Sequence, residues 1–95
     1  MTDAELLIGV WRMTKEERVC DADFRADGTL TYSIEVEGRT LVMNLTWRLE
    51  DGMIVSDQSS APGEVRSKYT FADADTLVME YDGEESTFRR TTPRA

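Results

Sequence analysis

The chain has 95 residues, 40% of them hydrophobic and 32% charged. This length and composition predict one globular domain spanning residues 1–95, and they exclude a disordered chain and a second independent core. The 19 acidic and 11 basic residues give a net charge of −8, which would repel nucleic acid and anionic membrane surfaces, so neither is an expected partner. The charge favours a solvated acidic surface, with attraction of a cationic ligand or a basic protein as the alternative.

The chain contains one cysteine, Cys20, and no histidine. A single cysteine excludes an intrachain disulfide, and without histidine the chain lacks the commonest general base and the commonest transition-metal ligand. We therefore expect no metal, no cofactor and no catalytic residue, and we interpret Cys20 as a small buried apolar residue. The N-terminal sequence lacks the features of a secretory signal, and no apolar run approaches the roughly 18 residues of a membrane-spanning helix. These features favour a cytoplasmic protein that is not an enzyme.

The predicted elements begin with one helical turn. Thr2 followed by Glu5 has the pattern of a capping box, which predicts a short helix over residues 3–8. From Gly9 the pattern changes to alternation with a period of two residues, with Gly9 and Trp11 on one face. The first strand is therefore predicted to begin at Gly9.

Seven further segments alternate in the same way and are separated by turn signals such as Asp27-Gly28 and Asp51-Gly52. These predicted strands cover residues 19–26, 29–37, 41–49, 53–57, 64–71, 77–81 and 86–90. Val55 is the predicted inward residue of the fifth strand. Residues 58–63 contain proline and glycine and are predicted to form a loop.

The number and spacing of the strands predict the fold. Eight short strands with glycine-containing turns and no room for crossover helices indicate an antiparallel meander. An open sheet of eight strands would leave two edges free to aggregate, whereas closure removes both. The sequence therefore predicts an all-β fold, an eight-stranded antiparallel up-and-down barrel with a short N-terminal helical turn. A two-sheet sandwich is the alternative.

Several short motifs occur in order over nearly the whole chain. They are Leu7-Ile8-Gly9-Val10-Trp11, Phe24-Arg25-Ala26-Asp27-Gly28, Trp47-Arg48-Leu49-Glu50-Asp51-Gly52, Tyr69-Thr70-Phe71 with Asp75-Thr76-Leu77, and Phe88-Arg89-Arg90. Together these motifs resemble the short bacterial lipocalin-like domains of the calycin superfamily.

This resemblance implies a calycin barrel in which the tryptophan of the first strand plugs one end and an arginine of the last strand packs across its ring. On this chain the pair would be Trp11 and Arg90, with Arg89 as the other possibility for the arginine. A ligand would then enter at the opposite end. Typical lipocalins are much longer and surround a deep cup, whereas an eight-stranded barrel of short strands is only just wide enough for its own side chains. This difference argues against a large dry cavity.

Six inward-facing methionine and aromatic residues are the candidate ligand-binding positions, because a flexible thioether surface with a few hydroxyl groups suits an apolar ligand. They are Tyr32, Met43, Trp47, Tyr69, Met79 and Tyr81. The alternative is that these side chains simply form the core. An interior volume above roughly 300 Å³ would favour a ligand pocket, and a filled interior would favour a function at the surface.

The residue patterns support three functional hypotheses. The first is non-enzymatic binding of a small apolar or amphipathic molecule at one mouth of the barrel, near the predicted loop at residues 58–63. The second is a protein-interaction module, of the inhibitor or immunity type, whose acidic surface meets a basic protein. The third is a small enzyme of the isomerase or cyclase type that uses a tyrosine or a carboxylate as its acid. The sequence is compatible with a monomer or a homodimer.

Overall fold

The structure is a computed structural model that describes residues 2–15, 17–58, 61–81 and 83–91. In chain order its elements are α1 (Asp3–Leu7), β1 (Gly9–Lys15), β2 (Arg18–Phe24), β3 (Thr29–Val36), β4 (Arg39–Glu50), β5 (Met53–Gln58), β6 (Ala61–Asp73), β7 (Thr76–Tyr81) and β8 (Glu84–Arg90). No helix within the described ranges is long and apolar enough to span a lipid bilayer.

Each strand pairs antiparallel with the next strand along the chain, and β8 returns to pair with β1. The sheet is therefore a closed barrel in the order β1 to β8. This confirms the predicted eight-stranded antiparallel up-and-down barrel and excludes the two-sheet sandwich. The short helix is confirmed as well, and its cap forms as the sequence predicts, because the Thr2 hydroxyl accepts a hydrogen bond from the Glu5 amide at 3.2 Å.

The connections between strands alternate between the two ends of the barrel. The β2–β3, β4–β5 and β6–β7 connections lie at the end that α1 covers, which we name the closed end. The other four hairpin connections lie at the opposite end, which we name the open end. Two of the turns, Glu37-Gly38 and Asp51-Gly52, have positive φ at both residues. This conformation matches the twist of the paired strands and so fixes the register of each hairpin.

The core is buried most completely at the closed end. Its most deeply buried side chains, each no more than 1% exposed, are Leu7, Trp11, Ala22, Phe24, Leu30, Ile54 and Leu77. Phe71 adds a further ring, whose centroid lies 6.1 Å from that of Trp11. Inward residues nearer the open end, such as Met43 and Leu45, are only half-buried. The barrel is therefore solid at one end and less completely filled at the other.

The predicted inward face of β5 is wrong. Ile54 and Ser56 face the interior, and Val55 lies on the outer surface between Arg48 and Arg66, its partners in the neighbouring strands. Val55 is still only 1% exposed, because the long arginine side chains cover it, and carboxylates of the same face hold both guanidinium groups at ion-pair distance. The sequence pattern failed here because a run of consecutive apolar residues leaves the alternation without a unique inward face.

The predicted loop at residues 58–63 is shorter in the structure. β5 extends to Gln58, and β6 begins at Ala61, which pairs with Gln58 across the hairpin. Residues 59 and 60 lie outside the described part of the chain. The ladder is irregular between Ser56 and Gln58, as at a β-bulge. Proline and glycine therefore mark an irregular hairpin here rather than a long loop.

Candidate functional site

The closed end is held together by Trp11 and Arg90. The guanidinium carbon of Arg90 lies 4.2 Å from the centre of the Trp11 ring, in a cation–π contact. Trp11 Nε1 donates a hydrogen bond to the Leu7 carbonyl at 2.8 Å. Arg90 donates to the carbonyls of Leu6 at 2.6 Å and Ile8 at 3.1 Å. A helix leaves such carbonyls unpaired at its C-terminal end, so these two side chains fasten α1 across the barrel.

The backbone at Gly9 explains the Gly-x-Trp spacing of the first strand. The φ angle of Gly9 is +133°, and a Cβ atom at this position would lie 2.8 Å from Nη1 of Arg90. Glycine therefore leaves the room that the guanidinium needs above the indole. Arg89 is exposed on the other face of β8, so Arg90 and not Arg89 is the partner of Trp11.

The position of Arg90 does not depend on a strong ion pair. Only 3% of its side chain is exposed, and its Nε lies 3.3 Å from a carboxylate oxygen of Asp75. That carboxylate is 71% exposed, and Nε lacks the alignment of a hydrogen bond. An ion pair with an exposed carboxylate contributes little to stability. We therefore attribute the position of Arg90 to its carbonyl acceptors and to the indole ring of Trp11. These contacts fill the closed end of the barrel and fasten α1 to it.

The open end contains a cavity of about 380 Å³. Its apolar wall is formed by Tyr32, Met43, Leu45, Val65, Met79 and Phe88. Polar groups reach it from Ser56, Gln58, Ser67, Tyr81, Glu84 and Ser86. Strands β3 to β8 all contribute side chains, so the cavity lies within the barrel mouth and not on the outer surface.

The serines of the cavity are its most informative polar groups. Ser56, Ser67 and Ser86 come from three different strands, and Ser56 and Ser67 are each only 7% exposed. Among the described residues, none of the three hydroxyl groups has a hydrogen-bond partner. A hydroxyl group that faces an open cavity without a protein partner is normally hydrogen-bonded by water, so these three offer donors and acceptors to a molecule that enters the cavity.

Tyr32 adds a neutral hydroxyl group to the same wall. Burial, with a smaller effect of the nearby Cys20, raises the pKa of Tyr32 to about 12. The phenol therefore stays protonated at neutral pH and acts as a hydrogen-bond donor. Burial also raises the pKa of the Cys20 thiol, which keeps this buried cysteine in its unreactive form.

Four of the six sequence-predicted positions come together in this cavity, namely Tyr32, Met43, Met79 and Tyr81. Trp47 does not line it. Its ring packs edge-on against Phe24 with centroids 5.4 Å apart, and its Nε1 donates a hydrogen bond to the Arg25 carbonyl at 3.0 Å. Trp47 therefore ties the β2–β3 turn to the barrel.

Tyr69 is also directed away from the cavity. Its hydroxyl group donates a hydrogen bond to the Asp3 carboxylate at 2.8 Å, and its ring packs edge-on against Phe71 with centroids 5.8 Å apart. Burial, with a smaller effect of the Asp3 carboxylate, raises the pKa of Tyr69 to about 12. Tyr69 thus anchors the start of α1, as Arg90 anchors its end.

The three serines of the cavity were not among the sequence-predicted site residues. The signal was available, because the period-two alternation places Ser67 and Ser86 on the same faces as the apolar residues of β6 and β8. A serine at a predicted inward position is a small polar group in an otherwise apolar interior. Such a position indicates either a satisfied hydroxyl group or a space that the core does not fill.

Comparisons of the chain with protein-family models, with curated proteins and with solved structures return no match. Within the described residues, no group of three or more His, Cys, Asp or Glu side chains could hold a metal ion.

Proposed function

We propose that the protein binds a small apolar or amphipathic molecule in the open-end cavity and catalyses no reaction. The observation that carries this proposal is the cavity of about 380 Å³, with its apolar wall and its serine hydroxyl groups. Ligand pockets span roughly 300–1,000 Å³, so this cavity belongs to the small end of that range. Its occupant is therefore a small molecule and not a long lipid chain.

The apolar wall supplies the driving force for binding. Burial of apolar ligand surface is favourable by roughly 25 cal/mol per Å². Met43 and Met79 contribute unbranched thioether side chains, which adapt to ligands of different shape. The wall therefore favours a ligand with an apolar moiety but does not require one particular ligand shape.

The polar groups favour a ligand with a neutral or cationic polar head. The hydroxyl groups of the three serines and of Tyr32 are uncharged donors. Glu84 is exposed at the rim of the cavity, and the chain carries a net charge of −8. An anionic head would be repelled by both, so an alcohol, an amide or an amine suits the site better.

The same groups support binding without catalysis. Tyr32 holds its proton at neutral pH because its pKa is raised to about 12, and no described base accepts a hydrogen bond from its hydroxyl group. Burial raises the pKa of the Cys20 thiol, so a thiolate nucleophile is disfavoured. Within the described residues, the hydroxyl groups of the cavity therefore have no hydrogen-bonded base that would activate them as acids or nucleophiles.

We also propose the family relationship and the cellular location that the sequence suggests. The contact of Arg90 with Trp11, above Gly9, supports a distant relationship with the bacterial lipocalin-like domains of the calycin superfamily. A cytoplasmic location is likewise part of the proposal. Fractionation of cells that express the full chain tests the location, and recovery of the protein outside the cytoplasm would contradict it.

A titration with N-phenylnaphthylamine, a neutral apolar fluorescent probe, tests the binding function. Ser86→Leu places a larger side chain in the cavity, and Thr87→Leu makes a comparable change at the adjacent residue, which is exposed on the outside of β8. We expect saturable binding of one probe per chain by the unmodified protein. We expect Ser86→Leu to weaken it by about tenfold or more and Thr87→Leu to leave it unchanged.

Two results would overturn the proposed function. One is the absence of saturable binding by the unmodified protein for this probe and for a panel of small neutral and cationic amphiphiles. The other is equal affinity of all three proteins, since the probe would then bind outside the cavity. Circular dichroism spectra of both variants establish that each retains the barrel.

A further inference from the structure

Strand β4 extends beyond its neighbour β5 at the open end. β4 runs over Arg39–Glu50 and pairs with β3 from Arg39 to Thr46. It pairs with β5 only from Thr46 to Glu50. Within the described part of the chain, residues 39–45 therefore have a ladder partner on one side only. We name this segment the free edge of β4.

The hydrogen bonds between β3 and β4 show which backbone groups of the free edge point away from β3. The Trp47 amide donates a hydrogen bond to the Gly28 carbonyl at 2.9 Å, so Trp47 directs its backbone groups toward the β3 side. Because this direction alternates along an antiparallel strand, the N–H and C=O groups of Thr40, Val42 and Asn44 point away from β3. Within the described residues these groups have no ladder partner, so they are available to another strand.

Beyond Arg39 at its start, the free edge carries only apolar and uncharged polar side chains. Leu41 is 60% exposed and Val42 57% exposed, and residues 40–45 include neither a charged residue nor a proline. Natural edge strands normally carry such residues, because they prevent pairing with another chain. By contrast β8, which pairs with β1 only near its C-terminal end, begins with Glu84 and Glu85. The free edge of β4 has no such residue beyond Arg39, which makes it a site for strand pairing.

The charge distribution favours a second copy of this chain at the free edge. At a net charge of −8, two copies repel each other over most of their surfaces. The longest stretch of the sequence without Asp or Glu is residues 38–49, which includes the whole free edge. Two copies therefore approach with least repulsion when their β4 strands meet.

We propose that two copies of the chain associate through their free edges, with the β4 strands antiparallel about a two-fold axis at Val42. In this register Val42 lies opposite Val42 of the second copy, and Thr40 lies opposite Asn44, each pair exchanging both of its N–H···O bonds. Leu41 lies opposite Met43, so apolar side chains meet on the other face. No charged residue opposes another charge. The two-fold axis makes the contact self-complementary and closes the assembly at two copies.

A single strand edge makes a small interface, so the dimer is expected to be weak and to depend on concentration. Sedimentation equilibrium over micromolar to millimolar protein measures this association. Val42→Lys places two like charges opposite each other at the axis and should weaken dimerisation by about tenfold or more. Thr70→Lys makes the same charge change on the exposed outer face of β6 and should leave the dimer unchanged.

Amide hydrogen exchange gives a second measurement on the unmodified chain. The Thr40, Val42 and Asn44 amides should exchange more slowly as the protein concentration rises. The Leu41 and Met43 amides, which face β3, should not change. A monomer at every concentration, an assembly larger than two copies, or a dimer that Val42→Lys leaves intact or that both variants weaken equally would overturn the proposal. Exchange that slows elsewhere and not at these three amides would overturn it too.

Discussion

Gly9 shows how one missing side chain determines the geometry of the closed end. Gly9→Ala should destabilise the fold by about 1–3 kcal/mol, the cost of a strained backbone position. The strain arises because φ is +133° and because the new Cβ would lie 2.8 Å from Nη1 of Arg90. Urea unfolding at neutral pH measures this change.

Gly63→Ala is the matched control for this substitution. Nothing lies within 4 Å of a Cβ at Gly63, so the free energy of unfolding should change by no more than about 0.5 kcal/mol. Equal effects of the two substitutions would mean that the close approach of Arg90 to Gly9 has no energetic consequence.

Tyr32 predicts a loss of stability at alkaline pH. Its pKa is raised by burial from 10.0 to about 12 in the folded protein. Between these values the unfolded chain has released the phenolic proton and the folded chain still holds it, so the free energy of unfolding falls as the pH rises. The stabilisation is complete below pH 10.0 and is lost by about pH 12.

The variant Tyr32→Phe isolates this effect from the other groups that titrate in the same range. Its free energy of unfolding, from urea titrations across the same pH interval, should decline less steeply than that of the unmodified protein. Identical slopes would show that the Tyr32 hydroxyl group is not buried in the folded state.

For single residues, the sequence predicted the type of contact that a side chain makes better than the part of the barrel in which that side chain lies. The pairing of Trp11 with an arginine of the last strand followed from motif resemblance, and the φ angle of Gly9 and the register of β8 select Arg90. Trp47 and Tyr69 were grouped with the cavity because they share its face. Their hydrogen bonds to Arg25 and Asp3 turn them elsewhere, and the sequence pattern carries no information on such long-range partners.

The short helix α1 depends on tertiary contacts for its stability. A helix of five residues is far too short to be stable alone. Tyr69 holds Asp3 at its start, and Trp11 and Arg90 hold its last carbonyls. The helix is therefore part of the barrel closure and not an independent element.

Arg90→Met should detach α1 and cost about 2–5 kcal/mol of folding free energy, because the carbonyls that Arg90 pairs lose their donor and the indole loses its cation. Arg89→Met, at the exposed neighbour, should cost no more than about 0.5 kcal/mol. Chemical unfolding gives both values, and near-ultraviolet circular dichroism reports the loss of tryptophan packing. If Arg89→Met proved the more costly change, the assignment of Arg90 to the indole would be wrong.

At the scale of elements, alternation and turn chemistry were sufficient to place all eight strands. The Asp51-Gly52 turn, with positive φ at both residues, is an example in which two residues determine a hairpin. The inward face of β5 could not be predicted, because Val55 is buried from outside by Arg48 and Arg66. That burial depends on two neighbouring strands, so it is a property of the assembled sheet.

At the scale of the whole molecule, side-chain size explains why the barrel is filled at one end only. An eight-stranded barrel is just wide enough for its own side chains to fill. Tryptophan, phenylalanine and leucine fill the closed end. Three serines occupy inward positions of the cavity region, and the volume that larger side chains would take remains open.

Closure of the sheet could be predicted from the strand count, whereas the cavity could not. Strand count and turn spacing are local properties of the sequence. The interior volume is a small difference between the space that the backbone encloses and the summed volume of all inward side chains. A few positions such as Ser56 and Ser67 decide that difference, so it becomes visible only in the assembled barrel.

The methionine methyl groups provide the most direct test of a barrel that is plugged at one end and binds a ligand at the other. Met43 and Met79 line the cavity, and Met53 lies on the outer side of the barrel beside the β4–β5 turn at the closed end. Two-dimensional NMR of the ¹³C-labelled methyl groups during an N-phenylnaphthylamine titration should show saturable shifts for Met43 and Met79 and none for Met53. Saturation of binding without shifts at Met43 and Met79, or with shifts at Met53 alone, would contradict this arrangement.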